Sequence, residues 1–493
     1  MALPENGSAW PPPHMAAAYR EMRTDDAWYA GDARRLARLY RDAPEPEKRR
    51  TLWGRRSLDH APRRDHRLHV PLPGDIAATS ADLLFADMPA ITVPDTATQE
   101  RLNELLDVGR VHAALLSAAE QAAALSGVYL RSTWDRSIAE RPLLTVVQAD
   151  AAVPEWRFGM LRAVTFWRQL DGSTETAVWR HLERHEPGRI MHALYEGTPD
   201  NVGRAVPLTE HPETADLTES LDKDGDGQTI STEITELTAA YVPNMLPNRL
   251  HRGAPTGRSD YAAPLYDMFA SLDETWTSWM RDIRLARARL IVPAGYLRDE
   301  GPGHGASFDE DRELWSPVNM PPNEQGAGIT LSQFDIRVTE HQQTAEAITR
   351  QAAQSAGYSA QSFGLDGGGQ PITATESDSR DARSMVTRKK KAGYWRHPLA
   401  DQLHVMLLLD RAMFGAKITP ERPTVAFGDG VAESEQSTAT TLDLLTRAGA
   451  VSTATKVKIL HPDWDDTAVL AEVAAILAET GAAAPDPGST YPM

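Results

Sequence analysis

The chain contains no cysteine. That absence removes disulfides, thiolate zinc sites, cysteine nucleophiles and redox pairs together, and it fits a reducing compartment. No apolar run approaches the length that crosses a bilayer, so no membrane span is expected. The opening residues, MALPENGSAWPPPHM, lack a basic region followed by an apolar one, and no secretory signal is read there. Bases are the scarcer charge: 51 Lys and Arg stand against 69 Asp and Glu, a formal charge of -18. A surplus of acid argues against tight wrapping of nucleic acid, which needs net neutralisation of phosphate, but not against a surface that DNA merely passes. The chain also lacks a nucleophile elbow, a zinc-protease HExxH and the Lys–Ser/Thr pair of a P-loop. An enzyme is therefore disfavoured, and no cofactor is required.

What is present is a chain of 493 residues, long enough for two to four domains, with an ordinary 41% hydrophobic and 24% charged content. Its organising stretch is 259–293, SDYAAPLYDMFASLDETWTSWMRDIRLARARLIVP. Tyr261, Leu265, Met268/Phe269, Leu272, Trp276, Trp279/Met280, Ile283, Ala286 and Leu290 recur in steps of three and four, one stripe down a helix. Ser259 or Asp260 can cap its start, Pro264 is tolerable in the first turn, and Pro293 stops it. About thirty residues make a rod of about 45 Å. The opposite face carries Asp273, Glu274, Arg281, Asp282, Arg284, Arg287 and Arg289, acids early and bases late, which suits the helix dipole. Such a rod is either a core helix of one large domain or a strut packed against copies of itself.

The remaining chain is read in order. Residues 1–14 form a Pro-rich disordered arm. A helical pattern from Met15 to about Arg41 breaks at WYAGD, and 44–67 is a charged, exposed loop. Helices follow over about 74–87 and about 98–125. The period then changes. GVYLRSTWD, PLLTVVQAD, WRFGMLRAVTFWRQL, TAVWRHLERHE and IMHALYEG read as an antiparallel meander over 127–243, with 199–220 a polar insertion. Beyond the long helix, 294–328 is irregular, 329–337 a strand, and 338–357 a helix closed by Gly357. GYSAQSFGLDGGGQPITATES is a flexible loop, and a further helix spans about 375–415 with a kink or break at Pro398. Helices near 433–448, 452–460 and 465–480 precede a Pro/Gly tail.

Three local motifs invite chemistry. DKDGDGQTISTE places Asp222, Asp224, Asp226 and Glu233 at positions one, three, five and twelve of a calcium loop, with Gly227 at the sharp turn. Thr229 stands where an apolar residue belongs, and the following ITELTAAYV reads as a strand rather than a helix. The loop holds a structural Ca2+ or Mg2+, or it is a metal-free acidic hairpin tip. His181 and His185 in HLERHE share one face of a strand without an acid-rich ligand set, and read as surface histidines. RKKK puts Arg388, Lys389, Lys390 and Lys391 on one helical turn, either solvated or facing phosphate.

Six segments in order carry a resemblance. They are WYAGD, HVPLPGDIAATSADLLFADMP, SGVYLRSTWD, YVPNMLPN before the long helix, the long helix itself, and AGYSAQSFGL followed by TATES opening a basic helix. Over about residues 15–415 the chain resembles the portal proteins of tailed bacteriophages, in particular the Gp6-like group of phages of Gram-positive and actinobacterial hosts. The resemblance implies an α+β portal fold. Its wing would be 15–258, its stem helix 259–293 with Leu265, Phe269, Leu272, Trp276, Trp279 and Ile283 as packing residues, and its clip 294–337. A returning stem helix would span 338–363, a tunnel loop 364–375, a channel helix 376–415, and a crown and tail 416–493. Leu365, Asp366, Gly367, Gly368, Gly369 and Gln370 would line the channel beside DNA. It further implies a homo-oligomeric ring of about twelve subunits, assembled in the host cytoplasm and placed at a capsid vertex of the virion. Double-stranded DNA would pass through it, and its partners would be the large terminase, the major capsid protein, scaffold and a head–tail adaptor, with no membrane. Two other classes stay open on the residues alone: an acidic enzyme with a scattered site, and a calcium-binding structural module.

Overall fold

The first helical stretch breaks at its glycine. α1 (Ala16–Ala30) ends at Gly31, which takes φ 61°, and α2 (Ala33–Asp42) restarts after Asp32, whose Oδ1 accepts the Arg34 amide at 2.6 Å. A Cβ on Gly31 would lie 2.9 Å from the His69 ring, so backbone angle and neighbour both select glycine. The computed structural model describes residues 3–42, 68–221, 228–262, 265–286, 289–291, 298–299, 306–307, 330–332, 336–365, 374–428, 442–461, 464 and 466–479. The chain divides into two units, Met1–Phe427 and Gly428–Met493.

In the first unit, α3 (Leu72–Phe85) begins two residues earlier than expected, with Pro73 in its first turn. The helix expected over 98–125 is two helices. α4 (Thr96–Val108) is capped by Asp95, whose Oδ2 accepts the Thr98 amide at 2.9 Å; α5 (Val111–Leu125) starts after Arg110 takes φ 50°. An Ala- and Leu-rich run offers period but no stop except Gly109, so the break escapes a periodicity reading.

The expected meander is antiparallel throughout but forms two sheets. β2 (Gly127–Thr133) lies between β3 (Leu143–Gln148) and β10 (Ala239–Pro243). The larger sheet runs β4 (Ala152–Arg157), β5 (Met160–Gln169), β6 (Val178–Glu186), β7 (Arg189–Thr198) and β8 (Asn201–Val206), with β9 (Thr229–Ser231) added to β7. The segment 199–220 is thus no plain insertion; it supplies β8 and α6 (Pro212–Ala215). Residues 3–14 correct the disordered-arm reading. Trp10 donates its amide to Asp200 O at 2.9 Å, Val202 donates to Ser8 O at 2.9 Å, and the Trp10 side chain is buried. An open sheet edge needs its backbone groups satisfied, and the arm satisfies them. β1 (Ala90–Thr92) pairs with β15 (Thr424–Ala426), which keeps 416–427 in the first unit rather than with the C-terminal segment.

Two cores hold the helices. The first gathers Phe85, Leu102, Leu115 and Leu130 around Trp395, Leu403 and Leu407 of α9 (Ala374–Phe414). α9 runs 41 residues and continues through Pro398, where a kink or break was expected, so the chain does not break there. The buried Leu399 and Leu403 beyond it hold the helical path that one lost hydrogen bond would weaken. The second core joins Trp28, Ile76 and Tyr261 to the start of α7 (Leu265–Leu285) and to Ala352 of α8 (Val338–Ala356). α8 closes at Gly357 with φ 104°, whose amide reaches Ala353 O, as its sequence predicts.

α7 has 21 residues, not about thirty. Ser259 and Asp260 precede it without capping it; Ser259 Oγ accepts the Tyr261 amide at 2.9 Å. Beyond it, β11 (Arg289–Ile291), where the long helix was expected to continue, pairs with β14 (Thr330–Ser332), inside the strand expected over 329–337, and β12 (Arg298–Asp299) pairs with β13 (Ala306–Ser307) within the stretch read as irregular. In the second unit, α10 (442–447), α11 (Thr453–Leu460) and α12 (Asp466–Glu479) bury Leu442, Val457 and Val469. Among the described residues no helix is long and apolar enough to cross a membrane.

Candidate functional site

The basic run on α9 divides by helical angle. Residues three apart lie within about 60° of each other around a helix, so Arg388 and Lys391 share one face while Lys389 and Lys390 take the other. The first pair points inward. Arg388 Nε donates to the Leu83 carbonyl at 2.6 Å, and Lys391 is only 2% exposed. Lys391 Nζ donates to Asp260 Oδ2 at 2.6 Å, Ser80 Oγ at 2.7 Å and Tyr358 OH at 3.0 Å, which uses all three of its hydrogens. Tyr358 OH donates to Asp260 Oδ2 at 2.8 Å, and Asn244 Nδ2 donates to Asp260 Oδ1 at 2.8 Å. Burial pushes the Lys391 pKa down while Asp260 pushes it back, and burial drives the Tyr358 phenol well above its ordinary value. Of the four bases read as either solvated or facing phosphate, Lys389 and Lys390 are exposed, whereas Arg388 and Lys391 are turned into the subunit by the carboxylate and carbonyl that receive them.

This buried node ties α3, the turn before α7, the second residue after α8 and α9 to one another. Sequence reading missed Asp260, Tyr358, Ser80 and Asn244, because an Asp ahead of a helical stripe reads as a cap and the others carry no motif. A second clamp fixes α4 to the end of α9, where Arg101 Nε and a terminal nitrogen reach Asp410 Oδ2 and Oδ1 at 2.8 and 3.0 Å.

Of the loop residues, Leu365 is described, and Asp366, Gly367, Gly368, Gly369 and Gln370 lie outside the described residues. The chain leading into that loop is pinned to α9. Thr387 Oγ1 donates to Gly357 O at 2.6 Å, and the Ser359 amide donates to Ser384 Oγ at 2.8 Å. The Ser359 and Ser384 hydroxyls each meet that of Ser362, at 2.9 and 3.0 Å.

The stripe of α7 also divides. Leu265, Phe269 and Leu272 are buried in their own subunit, with Phe269 packed 5.5 Å from Trp28 and 5.8 Å from Tyr261. Past Asp273 no described residue of α7 is fully buried. Trp276 and Trp279 are half-buried with rings 5.2 Å apart, Trp279 stacks on His341 of α8 at 5.9 Å, and Ile283 is 41% exposed. Of the six stripe residues, the subunit itself buries Leu265, Phe269 and Leu272, while Trp276, Trp279 and Ile283 are left short of full burial. Asp273, expected on the solvated face, is buried; its Oδ1 accepts the Val70 amide at 2.9 Å and its Oδ2 lies 3.0 Å from His69 Nδ1.

Asp222, Asp224 and Asp226 lie outside the described residues; Glu233 is exposed at φ 54° between β9 and β10. Among the described residues no three potential ligands gather around a metal position. His181 and His185 are not surface histidines. On β6 they flank Glu183: His185 Nε2 lies 2.8 Å from Glu183 Oε1, Arg131 donates to Glu183 Oε2 at 2.6 Å, and His181 Nε2 lies 3.1 Å from His192 Nδ1. Burial, then His192, pushes the His181 pKa down to about 3. Burial works against the Glu183 carboxylate, yet Arg131 and His185 together hold it well below the usual range. A charged strand whose face is covered by a second sheet must pair its polar groups internally, and this one does.

Compared with known proteins, residues 11–486 match the profile described as phage portal protein, SPP1 Gp6-like. A chain in the virion of a native gene transfer agent particle is 13% identical with a TM-score of 0.41, covering 92% of this chain and 95% of that one. A chain in the neck of the native particle, computed with C12 symmetry, is 12% identical with a TM-score of 0.42, covering 79% and 89%. No curated protein matches. At such identities and TM-scores, the profile match is the finding that identifies the chain.

Proposed function

The chain belongs to the SPP1 Gp6-like family of phage portal proteins, and from that premise we propose that its copies close into a ring around an axis wide enough for a DNA duplex. It is a structural protein of the virion, a head–tail connector. The ring occupies one capsid vertex, admits the double-stranded genome during packaging and releases it on ejection. The clip, 294–337, receives the large terminase first and a head–tail adaptor later, while the major capsid protein and scaffold surround the wing. The packaging motor is a separate ATPase, and this chain performs no catalysis.

Several features support this reading. α7 and α8 are rooted in the subunit core at one end and leave Trp276, Trp279 and Ile283 short of full burial at the other, as a strut between copies requires. The chain carries a net charge of -18, so DNA in the channel meets repulsion more than adhesion. Lys389 and Lys390 would add weak, salt-sensitive contacts, and 364–375, as the tunnel loop, would border the duplex. A Ca2+ or Mg2+ at Asp222, Asp224, Asp226 and Glu233 would be structural only. The observation that carries the reading is the match over 11–486. Light scattering and negative-stain microscopy of the purified chain test it: an annulus of about twelve copies of the 54.1 kDa chain is expected. A monomer at high concentration, with no annulus in particles, would overturn it.

A further inference from the structure

The two ends of the six-stranded sheet carry opposite surfaces. At one end the β4–β5 hairpin turns through Phe158 and Gly159, at φ 54° and 78°, and holds Phe158 and Met160 out at 93% and 73% exposure. A two-residue turn of this kind selects Asn, Asp or Gly, so a phenylalanine there is strained in backbone and poorly hydrated in side chain. The Arg157 guanidinium lies 5.4 Å over the Phe158 ring, and the tip WRFGMLR contains two bases and no acid.

At the other end lies a cavity of about 710 Å³ with Trp10, Tyr19 and Trp167 among its walls. Trp10 and Trp167 meet edge to face at 5.5 Å, and Trp167 Nε1 donates to Tyr19 OH at 3.3 Å, so the aromatic surface is rigid. Two basic side chains line it as well, and both donate to backbone carbonyls. Arg180 donates to Thr198 O, Pro199 O and Asn201 O at 2.7, 3.0 and 3.0 Å, and Arg23 Nε donates to Tyr19 O at 3.3 Å. The turns around the mouth are acidic. The β5–β6 turn DGSTET exposes Asp171 and Glu175, the β7–β8 turn exposes Asp200, and neither turn holds a base.

β5 connects the two ends, from Met160 to Gln169, a span of about 30 Å. A hairpin tip therefore cannot reach the cavity of its own copy. Complementary surfaces at opposite ends of one element are the requirement for a head-to-tail contact, which closes into a ring when the rotation between copies divides the circle. We propose that Phe158 and Met160 of one copy enter the aromatic cavity of the next copy, with Arg157 set against Glu175. The proposal rests on the ring reading above and names the surface through which one wing grips its neighbour.

The absence of native cysteine makes the test clean. In the full chain, Arg157→Cys/Glu175→Cys treated with a short bis-maleimide should give a ladder of covalent multimers, whereas each single variant should stop at dimers. Light scattering before cross-linking separates the two ideas. A multi-subunit particle without a ladder overturns the socket and leaves the ring standing; a persistent monomer without a ladder overturns both. Phe158→Asp, at an exposed position, should leave subunit melting unchanged and raise the concentration for half-assembly by roughly tenfold or more. Arg157→Glu should weaken assembly, and Arg157→Glu/Glu175→Arg should restore it. Normal assembly of Phe158→Asp would mean that the tip serves some other partner, and the proposal would fall.

Discussion

Lys391 and Asp260 are each almost fully buried, and each is tolerable there because of the other. Removing one partner leaves a charge in a low-dielectric surround with no counter-ion, which costs about 3–5 kcal/mol. Lys391→Met should therefore lower subunit stability by about that amount in urea denaturation, whereas Lys391→Met/Asp260→Asn should recover most of it. If the double variant is as unstable as the single one, hydrogen-bond geometry rather than charge holds the node. Asp25 on α1 makes a different case. It is 4% exposed and accepts the Tyr266 hydroxyl at 2.5 Å, and burial carries its pKa up to about 8. An unfolded aspartate ionises near pH 4. Between about pH 4 and 8 the unfolded chain has lost a proton that the folded chain keeps, so the stability contributed by this carboxyl is present in full below pH 4. It declines through the window and is gone above pH 8. Asp25→Asn keeps the acceptor oxygen and cannot ionise. It should match the wild type near pH 4 and exceed it by roughly 2–4 kcal/mol at pH 8; a gap independent of pH in thermal melts would contradict the assignment.

At the scale of the element, α7 behaves as two half-helices with one stripe. Phe269 is 1% exposed within its own subunit, and Phe269→Ala should cost about 3–5 kcal/mol of subunit stability. Ile283 is 41% exposed, and Ile283→Asp should change subunit stability by no more than about 0.5 kcal/mol while reducing assembly in light scattering. The opposite pairing of effects would place the inter-subunit contact elsewhere on the rod. α9 is held differently. It crosses Pro398 because both sides of the proline are anchored, by Trp395 and Leu403 in the core and by Arg101 on Asp410. A proline reads as a break when only the helix is considered, but surrounding packing decides whether the helix continues.

At the scale of the whole molecule, an acidic surplus spread over 493 residues coexists with bases turned inward. Arg388 and Lys391 on α9, Arg184 on the charged strand β6 and Arg131 on β2 beside it each donate to an oxygen of their own subunit. The exposed cations are thus fewer than a count along the chain suggests, which, on the proposed reading, would favour sliding of a duplex over binding. Several features were legible in the sequence. Gly31 and Gly357 end their helices where they are written, the stripe of α7 exists, and the order of segments places the chain in its family. These are local properties: helical period, a left-handed glycine and a capping carboxylate act over a few residues, so a few residues encode them. Only the tertiary structure decided which half of the α7 stripe is filled from within, which two of four adjacent bases turn inward, and that 127–243 splits into two sheets with buried histidines between charged neighbours. Each of those outcomes depends on a partner brought from far along the chain, as Asp260 is brought to Lys391 across 131 positions. A pattern of residue types states that a face needs covering; the identity of what covers it is settled when distant segments meet.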